Sequence, residues 1–214
     1  MKRRRALAIL ASMASTTFAG CFQFARGTGT LELAAQPVHV SDDILDTTGY
    51  TLHRAREITL DREFDVQGST REAVVTNMQA EYTKGIDIEG HGTVAGAVFS
   101  VTATPSVSVL GQEFNPLGDL STVELVERLQ RQYATIEDIE HQHNEMVVAL
   151  GDTTLRQSYT GKAHLGSESI EVAIHVTRPI ATSDDLIVTV GIHPRLLTYE
   201  DDNVSTLISG LELA

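Results

Sequence analysis

Glu140-His141-Gln142-His143-Asn144-Glu145 is the stretch of this chain best suited to metal chemistry. Side chains alternate between the two faces of a strand, so His141, His143 and Glu145 would project together. Two imidazoles and a carboxylate suit zinc, iron or manganese. The same residues equally suit a polar strand face in water, and that reading is preferred. The expectation is therefore no metal and no cofactor, with His141, His143 and Glu145 as the alternative.

Three further histidines fall on period-two stretches in the second half of the chain. His164, His175 and His193 lie on the side of those strands opposite an aliphatic stripe. With simple hairpin turns, His164 and His193 would flank Ser169 at about 10 Å, two strand spacings apart. Three histidines on one sheet face could gather a ligand, but ordinary surface histidines are the preferred reading here too. No nucleophile motif is present: Ser106, Ser121 and Ser158 lack the Gly-x-Ser-x-Gly setting of a nucleophile elbow. Gly90-His91-Gly92 opens no helix and is not a phosphate loop. Asp184-Asp185 reads as a turn, and Asp201-Asp202 as the acidic first turn of a helix, complementing its dipole. Nothing identifies a catalytic residue, and a non-enzymatic protein is expected.

The single thiol, Cys21, has a different role. Met1-Lys2-Arg3-Arg4-Arg5 forms a positive leader, and residues 6–20 are uncharged and largely apolar. Fifteen residues span only about 22 Å as a helix, short for a membrane crossing. The pattern is that of an export signal, and Arg4-Arg5-Ala6-Leu7 fits twin-arginine export. Phe18-Ala19-Gly20-Cys21 resembles a lipobox, where a peptidase cuts before a lipidated cysteine. The expected organisation is a signal peptide over 1–20, a lipidated cysteine and flexible tether over 21–30, and one domain over 31–214. Asn203-Val204-Ser205 is a sequon, so Asn203 is a candidate for N-glycosylation outside the cell.

The charge balance agrees with a halophile. The chain has 16 Lys plus Arg against 29 Asp plus Glu, and only Lys2, Lys84 and Lys162 are lysines. Removing the leader's four basic residues leaves 12 against 29, a balance of −17. Such a surface repels nucleic acid. In concentrated salt the Debye length falls to about 3 Å or less, so self-repulsion costs little.

The elements that position these residues are mostly strands. Residues 50–66 and 71–85 flank a turn at Gln67-Gly68-Ser69 and read as a long hairpin. Residues 31–40 form a strand demoted to an edge by Pro37. Residues 92–105 and 106–111 follow as strands. Ser121-Thr122-Val123-Glu124 is a capping box opening a helix that runs to Tyr133. A four-strand meander then covers 144–194, with Ile170, Val172, Ile174 and Val176 on one face. Val204, Leu207, Ile208 and Leu211 keep helical spacing, and this last helix is expected to cover that aliphatic stripe. The predicted class is α+β, an antiparallel sheet flanked by helices.

Two resemblances add to this. DTTGY (46–50), VTNMQAEYTKG (75–85), TATPSVSVLGQEFNPLG (102–118), DDLIVTVGIHP (184–194) and NVSTLISGLEL (203–213) resemble an uncharacterised family of haloarchaeal lipoproteins. The strand and helix order of the C-terminal half is similar to the PsbP-like fold. The first resemblance implies location and lifestyle but no reaction. Together the readings give a lipid-anchored domain on the extracellular face of the cytoplasmic membrane. Its expected partners are the membrane, through the anchor, and an envelope protein or small ligand.

Overall fold

The computed structural model describes residues 31–66, 69–88, 92–106, 108–109, 112–113, 136–165 and 168–214. The leader, Cys21 and the predicted 121–133 helix lie outside these residues.

Two short strands, β1 (Leu31–Ala34) and β2 (Val38–Val40), are separated at Pro37, which cannot donate to a ladder. Helix α1 (Asp42–Thr48) ends at Gly49, whose φ of 75° is the left-handed cap that glycine favours. The long hairpin forms as expected from β3 (Thr51–Val66) and β4 (Ser69–Ile88), pairing from Thr51–Thr83 to Val66–Ser69. β5 (Gly92–Pro105) returns along β4. β6 (Ser108–Val109) and β7 (Gln112–Glu113) make a separate small ladder. The meander is built from β8 (Ile136–Ala149), β9 (Asp152–Leu165), β10 (Glu168–Thr177) and β12 (Asp185–Pro194), with β11 (Ile180–Ala181) beside β12. Helix α2 (Glu200–Ser209) follows, and β13 (Leu211–Leu213) pairs with β2.

The main sheet has nine strands, ordered β1-β4-β5-β12-β10-β9-β8 with β3 and β11 alongside. β1 runs parallel to β4 and the other pairings are antiparallel. The expected α+β class, a PsbP-like antiparallel sheet flanked by helices, is thereby overturned. The chain is mostly β, and the described residues hold two helices. The long period-two runs of residues 51–105 join the meander in one large mixed sheet instead of forming a separate layer.

The helix also covers the face opposite to the predicted one. Val204, Leu207 and Ile208 are fully buried against Phe99, Val147 and Ile187. Val172, Ile174 and Val176 instead pack in a second cluster with Ile136, Tyr159 and Val188. α2 therefore lies on the face carrying Ala173, His175 and Thr177. Gly191 on β12 allows the approach, since a Cβ there would sit 2.8 Å from a Val204 methyl.

The first turn of α2 is tied down by charge as well as packing. Glu200 is fully buried and pairs with Lys84 Nζ at 2.6 Å. Its other carboxylate oxygen accepts from Tyr50 OH at 3.1 Å and from Asn203 Nδ2 at 3.0 Å. Burial and the Glu200 charge push the Tyr50 phenol well above its ordinary range. Lys84 also lies 5.2 Å from the Tyr199 ring centre and 5.7 Å from that of Tyr50. Breaking such a pair from one side strands a buried charge. Glu200→Ala should therefore destabilise the fold by about 3 kcal/mol in urea unfolding. The double change Lys84→Met/Glu200→Met should cost less than Glu200→Ala alone. A loss below about 1 kcal/mol for Glu200→Ala, the level of an exposed pair, would contradict this role.

Candidate functional site

One register row crosses seven strands beneath the helix: Leu52, Tyr82, Phe99, Gly191, His175, Ser158 and His143. Cross-strand partners share a face, so these side chains all point toward the α2 side. His193 lies two residues beyond Gly191 on β12 and is therefore a diagonal neighbour of His175 on that face. At the crowded centre of the row, glycine leaves room for the helix. Beside it the polar side chains meet the helix's first turn.

Asp201 closes the cluster from above. His175 Nε2 lies 3.0 Å from Asp201 Oδ1, and His193 Nε2 lies 3.2 Å from the same oxygen. The two Nε2 atoms are themselves 3.0 Å apart. Their ring centres are 5.1 Å apart, so the imidazoles meet tip to tip. Among the described residues, this trio is the one group of three His, Cys, Asp or Glu side chains whose donor atoms converge. Both histidines are buried, at 2% and 1% exposure, whereas the Asp201 side chain is 43% exposed.

The outer ring nitrogens are engaged too. His193 Nδ1 lies 3.1 Å from the carbonyl of Pro194. A carbonyl only accepts, so Nδ1 carries a proton, and whenever the ring is neutral Nε2 is a bare lone pair. His175 Nδ1 faces Ser158 Oγ at 3.0 Å. Arg156 braces the helix end, donating to the Asp201 carbonyl at 2.8 Å and to Ser205 Oγ at 2.7 Å. Its other terminal nitrogen pairs with Glu145 Oε2.

Ser158, His175 and Asp201 match the residue types and contact order of a nucleophilic relay. Ser158, however, is 2% exposed within the sheet. A substrate carbonyl cannot reach its oxygen. The arrangement can hold a proton or a cation between three donors, and it cannot attack.

Of the histidines singled out in the sequence, His175 and His193 come together, while His141, His143 and His164 do not converge. Between His141 and His143 the register shifts, so His141 opposes Tyr159 and His143 opposes Ser158. An extra residue in one strand breaks its two-residue period. His141 thus turns to the Tyr159 face, meeting that ring edge-on at 5.3 Å and Asn144 Oδ1 at 2.8 Å. His143 and Glu145 keep the α2 face, where Glu145 is taken by Arg156. His164 does oppose Ser169, but His193 opposes Ala173, four residues from the expected register. His164 is exposed and 3.4 Å from Glu137. Asn203 lies in α2 with its amide donating to Glu200, and its sequon partner Ser205 accepts from Arg156. Glycosylation of Asn203 would leave one amide N–H for the first of these bonds. The missing member of the cluster was Asp201, whose place in a helical first turn already explained it.

Burial holds the His175 imidazole far below its ordinary 6.5, down to about 3, with the charges of Arg156, His193 and His143 acting the same way. A folded value below the unfolded one means the unfolded chain binds the extra proton, so stability falls as pH drops below about 6.5. Asp201 on α2 faces the ring with opposite charge at 3.0 Å. In chelator, lowering the pH from about 7.5 to about 5 should cost roughly 2 kcal/mol through His175. Chemical unfolding at both pH values should show that increment shrinking in His175→Gln. An equal loss in the variant would contradict the assignment.

Among curated proteins, none matches the chain. A family model, the domain of unknown function DUF6517, matches residues 37–212. That span runs from just before β2 into β13 and includes His175, His193 and Asp201. The chain belongs to the DUF6517 family.

Proposed function

We propose that this protein is a lipid-anchored domain on the outer face of the cytoplasmic membrane of a halophilic archaeon, and that it binds a ligand or envelope partner instead of turning over a substrate. The observation that supports the non-catalytic half of this reading is the seal over the polar cluster. Ser158 and His175, the pair with nucleophile and base chemistry, are each 2% exposed beneath α2. The anchor rests on Cys21, which follows a basic leader and fifteen uncharged residues and lies ten residues before β1. No described helix is long and apolar enough to cross a membrane. A two-chain lipid on one cysteine would hold such a domain stably. The acidic, lysine-poor composition supports the halophilic setting.

Two measurements test the halves separately. Cys21→Ser should move the protein from the membrane fraction to the medium, or leave its precursor uncut. Normal processing with unchanged membrane retention would contradict lipidation. A fluorophosphonate probe should leave the folded protein unlabelled. Stoichiometric labelling that disappears in Ser158→Ala would contradict the non-catalytic reading.

A further inference from the structure

We propose that His175 Nε2, His193 Nε2 and Asp201 Oδ1 form a binding site for one divalent first-row transition-metal ion. This deepens the binding reading by giving the domain a ligand, and it does not depend on the anchor.

The first argument is the spacing of the donors. They form a triangle with edges of 3.0, 3.0 and 3.2 Å. An ion about 2.1 Å from each would see them at about 90 to 100° from one another. Those are angles for three ligands on one face of an octahedron. A tetrahedral site would need the donors somewhat further apart. Two imidazole nitrogens with one carboxylate favour a transition metal over calcium or magnesium, which take all-oxygen sets.

The second argument is the supporting shell. A metal-ligating histidine usually donates its other ring N–H to an oxygen, which fixes ring and tautomer. Here both outer nitrogens have such an oxygen: Pro194 carbonyl for His193 and Ser158 Oγ for His175. Asp201 is held in turn through its carbonyl by Arg156. The rigid sheet and the tied helix turn thus present both rings and the carboxylate together.

The third argument is charge. With both rings neutral, the His193 lone pair and the Asp201 carboxylate lie 3.2 Å apart, and the proton that faces both is the one on His175 Nε2. One proton then serves two acceptors in a buried place, a poor arrangement for either. A divalent ion satisfies all three donors at once; the proton it displaces from His175 Nε2 is balanced by one taken up at Nδ1 of the same ring, which then donates to Ser158 Oγ. To take the ion, each ring tilts from its tip-to-tip contact toward Asp201. Since Asp201 is the exposed member, the ion enters from its side and keeps water in its remaining positions.

The test uses the full chain, purified in detergent and stripped with chelator, then dialysed against Co²⁺ or Zn²⁺. One ion per chain should bind, with a rise in Tm and, for Co²⁺, visible d–d bands. Asp201→Asn and His193→Gln should each weaken binding at least tenfold. Ser158→Ala should weaken it by roughly 10- to 100-fold, as for loss of a supporting hydrogen bond. His141→Ala and His143→Ala should bind as the wild type does. Circular dichroism of each variant separates lost ligands from lost fold, and Asp201→Asn preserves shape at a partly exposed position. No saturable binding by the wild type would overturn the site. So would wild-type binding by a folded Asp201→Asn/His193→Gln double variant, or loss of binding in His141→Ala. Failure here, with Ser158 still unlabelled by the fluorophosphonate, would leave the non-catalytic binding reading standing without its metal.

Discussion

Glu200 and Asp201 are neighbours in the first turn of α2, and each delivers a carboxylate to a different set of partners on the sheet. Glu200 reaches Lys84 and Tyr50 on the hairpin side, while Asp201 reaches His175 and His193 on the meander side. Consecutive helical residues point about 100° apart, which is why one turn can address both halves. Arg156, rising from β9, caps the arrangement by gripping the Asp201 carbonyl and Ser205. The two halves of the sheet are thus bridged by one helical turn. The apolar seat that allows this is Gly191, where a side chain would collide with Val204.

Much of the architecture is legible from residue patterns. The hairpin of β3 and β4 and the meander of β8, β9, β10 and β12 follow from period-two runs punctuated by turns. At the tip of β8 and β9, Leu150 and Gly151 both adopt positive φ, as a tight two-residue turn between twisted strands requires. The side covered by α2 was not legible, because both faces of β10 are buried. Val172, Ile174 and Val176 looked like the natural seat for a helix but pack with Ile136, Tyr159 and Val188 instead. The true seat is marked by Gly191, where the missing side chain lets Val204 come close. Its signal is smallness and not hydrophobicity.

The site was half legible for related reasons. His175 and His193 were placed on the correct face, and a register four residues off separated them. Period-two reasoning over Glu140 to Glu145 failed at the register shift between His141 and His143, which no turn residue announces. Asp201 had a sufficient local reason to exist as an acidic residue in a helical first turn. That reason still holds alongside its contact with two imidazoles. A residue with one adequate explanation is easily denied a second.

The central claim is that His175 and His193 are preorganised, with their Nε2 atoms turned inward on Asp201 and their Nδ1 atoms occupied. Long-range ¹H–¹⁵N correlation of the imidazoles reads this directly. In metal-free protein near neutral pH, His193 should carry its proton on Nδ1, with Nε2 bare. Adding Zn²⁺ should shift both Nε2 resonances while the His193 Nδ1 proton stays in place. A His193 protonated on Nε2, or Nε2 resonances unmoved by Zn²⁺, would contradict the account.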